Sequence, residues 1–418
     1  MAHLITYRMA MFAIASFLPI PLIALAAVFG GWWVVLALSY ITVFTFLLDE
    51  LVKIASDPAQ PEREFPAADK LSTVLAVSHF LLLALVVWSI SSNPALGFFG
   101  TLGLFIASGL FFGQVSNSNA HELIHRADKR LFNLGKWVYI SLLFGHHTSA
   151  HPLVHHRFVA SDNDPNSAEM GESFYTFARR AWIGSARAGF EMESALLRIK
   201  RKESPRFSHP YYTYTAGGIA SLMLAIVIGG WGGALALIGL ATYAQVQLLL
   251  SDYVQHYGLR RITLPNGKLE PIDIQHSWNA PHWFSNYLML AAPRHSDHHA
   301  HPAKPYPALT LPTPDQAPSL PRSLPIMAGV ALYPRLWRRV MDPLVAHWQE
   351  RAQMTTQQMA VQNALLRDPV PATEQRTGVG EGNLPEMRHA KTRPSLFTDR
   401  SAGQQPACRT NPDGRRRV

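Results

Sequence analysis

Six almost unbroken apolar stretches dominate the first 250 positions, at about 9–29, 32–48, 71–90, 95–115, 216–230 and 233–250. A bilayer core of about 30 Å takes roughly 20 such residues as helix. The stretches come in pairs, joined by Gly30-Gly31, by Ser91-Ser92-Asn93-Pro94 and by the glycines around Trp231. Buried helices of a soluble protein are also apolar, but six in paired hairpins fit a membrane better. The first stretch is too long for a signal peptide, and no small-residue cleavage site is followed by soluble sequence. Pro19 and Pro21 predict kinks in it. A seventh run, Leu131–Gly145, contains Lys136 and is too short to span easily, so it reads as re-entrant or interfacial. The pattern predicts an all-α integral membrane protein with about six transmembrane helices in three hairpins.

Three hairpins place the N-terminus, the 49–70 loop, the region 116–212 and everything after residue 251 on one side. That side is basic. Between Arg179 and Arg206 lie eight Lys/Arg (179, 180, 187, 198, 200, 201, 202, 206) against Glu191, Glu193 and Glu203, and the opposite turns carry no charge. The excess of positive charge makes this side cytoplasmic. A membrane domain over 1–308 follows, with a cytoplasmic cap from 116–212 and 251–308. A Pro-rich segment and a basic amphipathic surface helix (Tyr333–Trp348) fill 309–368. Residues 369–418 lack periodicity, are Pro/Gly/Arg-rich and end in Arg415-Arg416-Arg417, which predicts a disordered basic tail.

Composition narrows the chemistry. Only 16% of the 418 residues are charged, and the net charge of +9 points to a membrane before nucleic acid. Cys408 is the single cysteine, which excludes disulfides and Cys-ligated zinc or iron–sulfur sites. Histidine is the outlier: 15 of 19 lie between His121 and His301. Four clusters stand out: His121-Glu122-Leu123-Ile124-His125, His151-Pro152-Leu153-Val154-His155-His156, His256, and His295-Ser296-Asp297-His298-His299. Residues four apart share a helix face, so both rings of such a pair can reach one ion. Pro293 and Pro302 bracket the last cluster as helix start and stop. All four clusters fall on the cytoplasmic side by the topology above. Nine imidazoles are too many for one ion, whereas two ions with four or five each leave positions open for oxygen and substrate.

Imidazole alone does not choose among zinc, copper, iron and nickel. A metal pair at the mouth of an apolar bundle suits oxidation of a hydrocarbon. That needs a redox metal, and iron is the usual one in cytoplasmic oxygenases. His3, His79, His209, His347 and His389 read as structural or solvated. His146, His147, His276, His282 and His301, near the clusters, suit hydrogen bonding behind the ligands. A rival reading takes His121-Glu122-x-x-His125 as a membrane zinc metalloprotease with Glu122 as base, and leaves most other histidines idle. A metal carrier predicts ionisable groups within the spanning helices, which are almost absent.

With these boxes the sequence resembles the integral-membrane alkane 1-monooxygenases of the fatty-acid desaturase and hydroxylase superfamily, over roughly residues 10–310. The matching pieces are His121–Arg126, Ala150–His156, Gln255–Gly258, Met170–Ser173, His276–Asn279 and Ala292–Ala300. The His-Tyr-Gly piece favours alkane-type hydroxylases over acyl desaturases. The resemblance implies two non-haem irons, without haem or flavin, held by His121, His125, His151, His155, His156, His256, His295, His298 and His299. It implies insertion of one atom of O2 into a terminal C–H of an alkane or alkyl chain drawn from the bilayer. Electrons would come from a separate rubredoxin and its NAD(P)H-dependent reductase, in a bacterial-type inner membrane. Acyl desaturation and alkyl-aromatic hydroxylation are alternatives within the superfamily. Glu122, Asp252 and Asp297 are candidates to orient ligand histidines. The chain departs from the family at Ala150 and Gln255, where Glu is usual, and at Val154, where Gly is usual. Because Pro152 disfavours a helical predecessor, His151 is expected at a helix N-cap.

Overall fold

The computed structural model describes residues 6–52, 61–199, 208–264 and 266–367. Every regular element among them is helical, and the β-bridges Thr263–Leu269 and Asn279–Ser319 are isolated pairs. Met1–Val361 forms one compact unit; Gln362–Val418 forms a second, of which the described part is the end of a helix. The expected tail at 369–418 lies outside the described residues.

The long apolar helices are α1 (Tyr7–Phe29), α2 (Trp32–Leu51), α3 (Glu64–Ser92) and α4 (Pro94–Ile124). α1 breaks at Leu18, immediately before Pro19. Between α4 and the next long helix come α5 (Lys129–Ser141), α6 (147–158) and α7 (Phe174–Ile199). α5 spans about 20 Å at 1.5 Å per residue, short of a bilayer core. α8 (Pro210–His256) runs 47 residues, about twice what one crossing needs. It is two arms: Gly229 and Gly230 leave helical φ/ψ, Gly230 at φ +61°. A side chain at Gly233 would collide with the Ala225 carbonyl, so the second arm folds back on the first. The chain is therefore a multi-pass membrane protein: among the described residues five helices are long and apolar enough to cross a bilayer, and the two arms of the fifth are consistent with three hairpins. The sixth helix extends beyond the expected 233–250 to His256, and the fourth beyond 95–115 to Ile124, because polar residues near the site continue the apolar helices.

The three turns lie together. Asn93 Nδ2 and Ser89 Oγ donate to the Ala27 carbonyl at 2.9 and 2.6 Å, and Ser91 packs on Gly229. Exposed Trp32, Phe98, Phe99 and Trp231 ring this end, as aromatic residues do at a membrane interface. The opposite ends are tied to the later helices α9 (Trp283–Leu288) and α10 (His295–Ala300) and to the loop after them. Asp49 Oδ1, at the end of α2, accepts from the Phe284 and Ser285 N–H groups at 2.8 and 2.9 Å, capping α9. Arg8 donates to the Pro307 carbonyl. α11 (Leu324–Ala331) and α12 (Pro334–Arg367) complete this end. Trp337, Met341 and Val345, spaced by four, are fully buried on α12, with Trp337 against Tyr253 and Tyr257. Within the segment read as Pro-rich, Leu324 and Pro325 already begin the apolar helix α11.

Candidate metal centre

Each histidine cluster sits on a helix at the end opposite the turns. His121 lies in the last turn of α4, and His125 caps it. His256 ends α8. α10 presents its histidines from a six-residue helix whose start and end agree with the flanking prolines. α6 is the informative case. Its middle, His151–His155, is a π turn, and His151 has helical φ −64° and ψ −55°. This corrects the expectation of an N-cap: Pro152 lacks an N–H, and the wider turn accommodates it inside a helical run. The wider turn also changes which rings meet. His151 and His156, five apart, bring their Nε2 atoms to 2.9 Å, while His155 points to a different set of rings. The expectation that residues 151 and 155 share one ion through four-residue spacing is likewise corrected.

The nine rings form two groups, with the nitrogens of each group within 4.8 Å of one another. One is His121, His125, His151, His156 and His298; the other is His155, His256, His295 and His299. Opposite ligands on one ion at metal–nitrogen distances of about 2.0–2.1 Å sit about 4.2 Å apart, so both groups are ion-sized. They adjoin through the His156 and His299 rings, 4.5 Å between centroids.

The nitrogens face inward without adequate protein partners. His295 Nε2 meets Nε2 of both His256 (2.9 Å) and His299 (3.0 Å), and His156 Nε2 meets Nε2 of both His151 (2.9 Å) and His298 (3.1 Å). Buried Nε2 atoms of His121, His125 and His155 have no hydrogen-bond partner. Lone pairs converging from several rings are a poor hydrogen-bond network and a good cation site. Burial and neighbouring rings hold His151, His156, His298 and His299 well below the ordinary histidine pKa, and His125 falls to about 4. The rings are therefore neutral near pH 7, the form that binds metal. His155 is the exception. Burial lowers its pKa, but the Asp164 carboxylate more than reverses this.

Asp164 is the residue that sequence reasoning missed. Its Oδ2 lies 2.9 Å from His155 Nδ1 and accepts from Ser167 Oγ, while Oδ1 accepts from the Asn166 N–H at 3.0 Å. Holding Nδ1–H turns Nε2 toward the group. The signal available was Asp162-Asn163-Asp164-Pro165-Asn166, a polar turn just after the second cluster. The three carboxylates singled out earlier hydrogen-bond elsewhere among the described residues. Glu122 pairs with Arg126 at 2.8 Å and accepts from the Tyr306 N–H. Asp252 accepts from Asn166 at 2.6 Å. Asp297 binds His301, Lys304 and Thr310. His79 is buried between Ser116 and Ser141, and His276 contacts Glu270.

A mostly apolar cavity of about 260 Å³ adjoins His121, His151 and His295 and runs between α4, the second arm of α8 and α11. The arrangement offers two ion-sized imidazole cages at the inner end of a space shaped for an apolar chain.

Comparison with known proteins agrees. A family model described as fatty acid desaturase matches residues 94–329. Alkane 1-monooxygenase 2 of Pseudomonas aeruginosa is 31% identical over 75% of this chain and 84% of its own length. Alkane 1-monooxygenase 1 of Alcanivorax borkumensis is 33% identical over 69% of this chain and 70% of its own. The xylene/toluene monooxygenase hydroxylase component XylM of Pseudomonas putida is 26% identical over 56% and 61%, respectively.

Proposed function

Because the chain belongs to the integral-membrane alkane 1-monooxygenases within the fatty acid desaturase superfamily, we propose that it hydroxylates the terminal carbon of an alkyl chain with O2. One C–H bond breaks and one C–O bond forms; two electrons and two protons reduce the second oxygen atom to water. The observation that carries this reading is the convergence of nine histidines from four separated stretches into two cages beside an apolar cavity. Nine imidazoles fit two non-haem irons, five on one and four on the other. Bound there, the irons supply the redox chemistry that activates O2.

The protein's own part is positional. Asp164 holds the His155 tautomer, and the cavity excludes water and aligns a chain toward His121, His151 and His295. We assign the electrons to a separate rubredoxin, reduced by an NAD(P)H-dependent reductase, since one cysteine cannot ligate a rubredoxin iron. The excess of Lys/Arg on this side offers an acidic partner the right sign of charge. The same excess of positive charge supports a site on the cytoplasmic side of a bacterial-type inner membrane. The test is turnover of medium-chain alkanes by the iron-loaded protein and by His295→Ala. Loss of both iron and alcohol product is expected in the variant; retained hydroxylation would remove the last cluster from the site.

A further inference from the structure

The cavity beside the cages is an open cleft, not a sealed void. Its lining near the cages, Ser118, His151, Asp252 and His295, is buried. Its outer lining includes Leu332, 38% exposed, and exposed Gly329, with half-buried Leu110 and Tyr243. The seam between α4 and α8 is shut. The Tyr243 ring lies where a side chain at Gly109 would stand, and the Gln247 side chain where one at Gly113 would stand. Gln247 Nε2 also donates to the Gly109 carbonyl at 2.8 Å. At Gly329 on α11 the reverse holds: a Cβ there would meet nothing within 4 Å. The opening therefore lies on the α11 side, past Gly329.

The surface around this mouth is made for lipid. Leu332, Tyr333 and Leu336, where α11 gives way to α12, are exposed, and so are Arg335 and Arg339 beside them. Exposed Tyr175 of α7 joins the patch, donating its hydroxyl to the Leu332 carbonyl at 2.9 Å. Exposed apolar and aromatic side chains flanked by arginines are the pattern of a helix in the interfacial layer of a bilayer. Leu110 precedes His121 by eleven residues, and Tyr243 precedes His256 by thirteen. Those spans are about 16 and 20 Å along the helices. An all-trans chain advances about 1.3 Å per carbon, so roughly 12–15 carbons reach from the cages to the mouth. The carbons of a longer chain pass out into lipid.

We propose that the cavity takes long unbranched alkyl chains end-on through this mouth, the reacting methyl at the cages and the tail left in the bilayer. Gly329 keeps the mouth passable, so the site limits the girth of a chain and not its length. This rests on the hydroxylase reading and names its substrate class. The terminal C–H becomes C–OH. O2 supplies that oxygen and its second atom leaves as water, with two electrons from reduced rubredoxin and two solvent protons.

The test uses the full iron-loaded chain in lipid nanodiscs, with O2 and reduced rubredoxin, and reads kcat/KM with each alkane expressed as its mole fraction in the bilayer. Hexadecane and eicosane should match dodecane. A fall of roughly tenfold beyond dodecane, as a closed end would give, overturns the proposal. Gly329→Trp should lower the hexadecane-to-octane ratio roughly tenfold, since octane fits behind the indole and hexadecane must thread past it. Leu332→Trp repeats the test should the first variant fold poorly, and a ratio unchanged in both variants overturns the proposal. A labelling arm reads the mouth without turnover. In a Cys408→Ser background, Gly329→Cys should react with a bilayer-soluble maleimide, and hexadecane should slow that reaction while octane does not. Labelling indifferent to hexadecane overturns the proposal. Turnover of no alkane at all sinks the hydroxylase reading, and the labelling arm then decides the mouth by itself.

Discussion

Single side chains decide how the rings are aimed. Asp164 is fully buried and joins His155 Nδ1 at 2.9 Å, so Asp164→Asn keeps the shape and removes the charge that fixes the tautomer. Iron affinity should fall about 10–100-fold in a metal titration, with the fold retained; unchanged affinity would show that His155 needs no orienting partner. Glu122 makes the opposite prediction. Its carboxylate is paired with Arg126, which also reaches Asp69 at 3.2 Å. Glu122→Gln should therefore lower the thermal midpoint but keep both metals and part of the turnover, whereas complete loss of activity is the metalloprotease outcome. Eight of the nine histidines brought together here were visible as local spacings, and His256 stood alone directly after an apolar run. Asp164 was not, because its pairing joins the π turn of α6 to the loop that follows, a contact that no helical period announces.

At the scale of elements, helix existence was legible and helix register was not. Apolar runs and paired turns gave three hairpins, since a bilayer imposes length and polarity together. The π turn at His151–His155 was hidden: a residue before proline ordinarily leaves the helix, and only the surrounding packing keeps His151 in it. The hairpin of α8 depends on Gly230, at φ +61° and ψ −153°, a region open essentially to glycine. Gly230→Ala has room for its methyl but should cost about 1–3 kcal/mol in detergent unfolding. An unchanged midpoint would mean that the turn relaxes freely. Trp337 anchors α12 against Tyr253 and Tyr257 and is fully buried. Trp337→Ala should cost about 3–5 kcal/mol, read as a lower unfolding midpoint; an effect below about 1 kcal/mol would show that this contact does not secure the helix.

For the whole molecule, the account places three turns on one face of the bilayer and all four histidine stretches at the other. In a Cys408→Ser background, Ser92→Cys should react with an impermeant maleimide on intact cells. Lys268→Cys should react only after permeabilisation, and labelling of both from one side would break the topology. The central claim concerns what the two cages hold. Elemental analysis of the purified protein, metal by metal, addresses it most directly. The account predicts about two irons per chain, falling toward zero when His295 is replaced by alanine. One zinc per chain, or an iron content indifferent to that substitution, would contradict it.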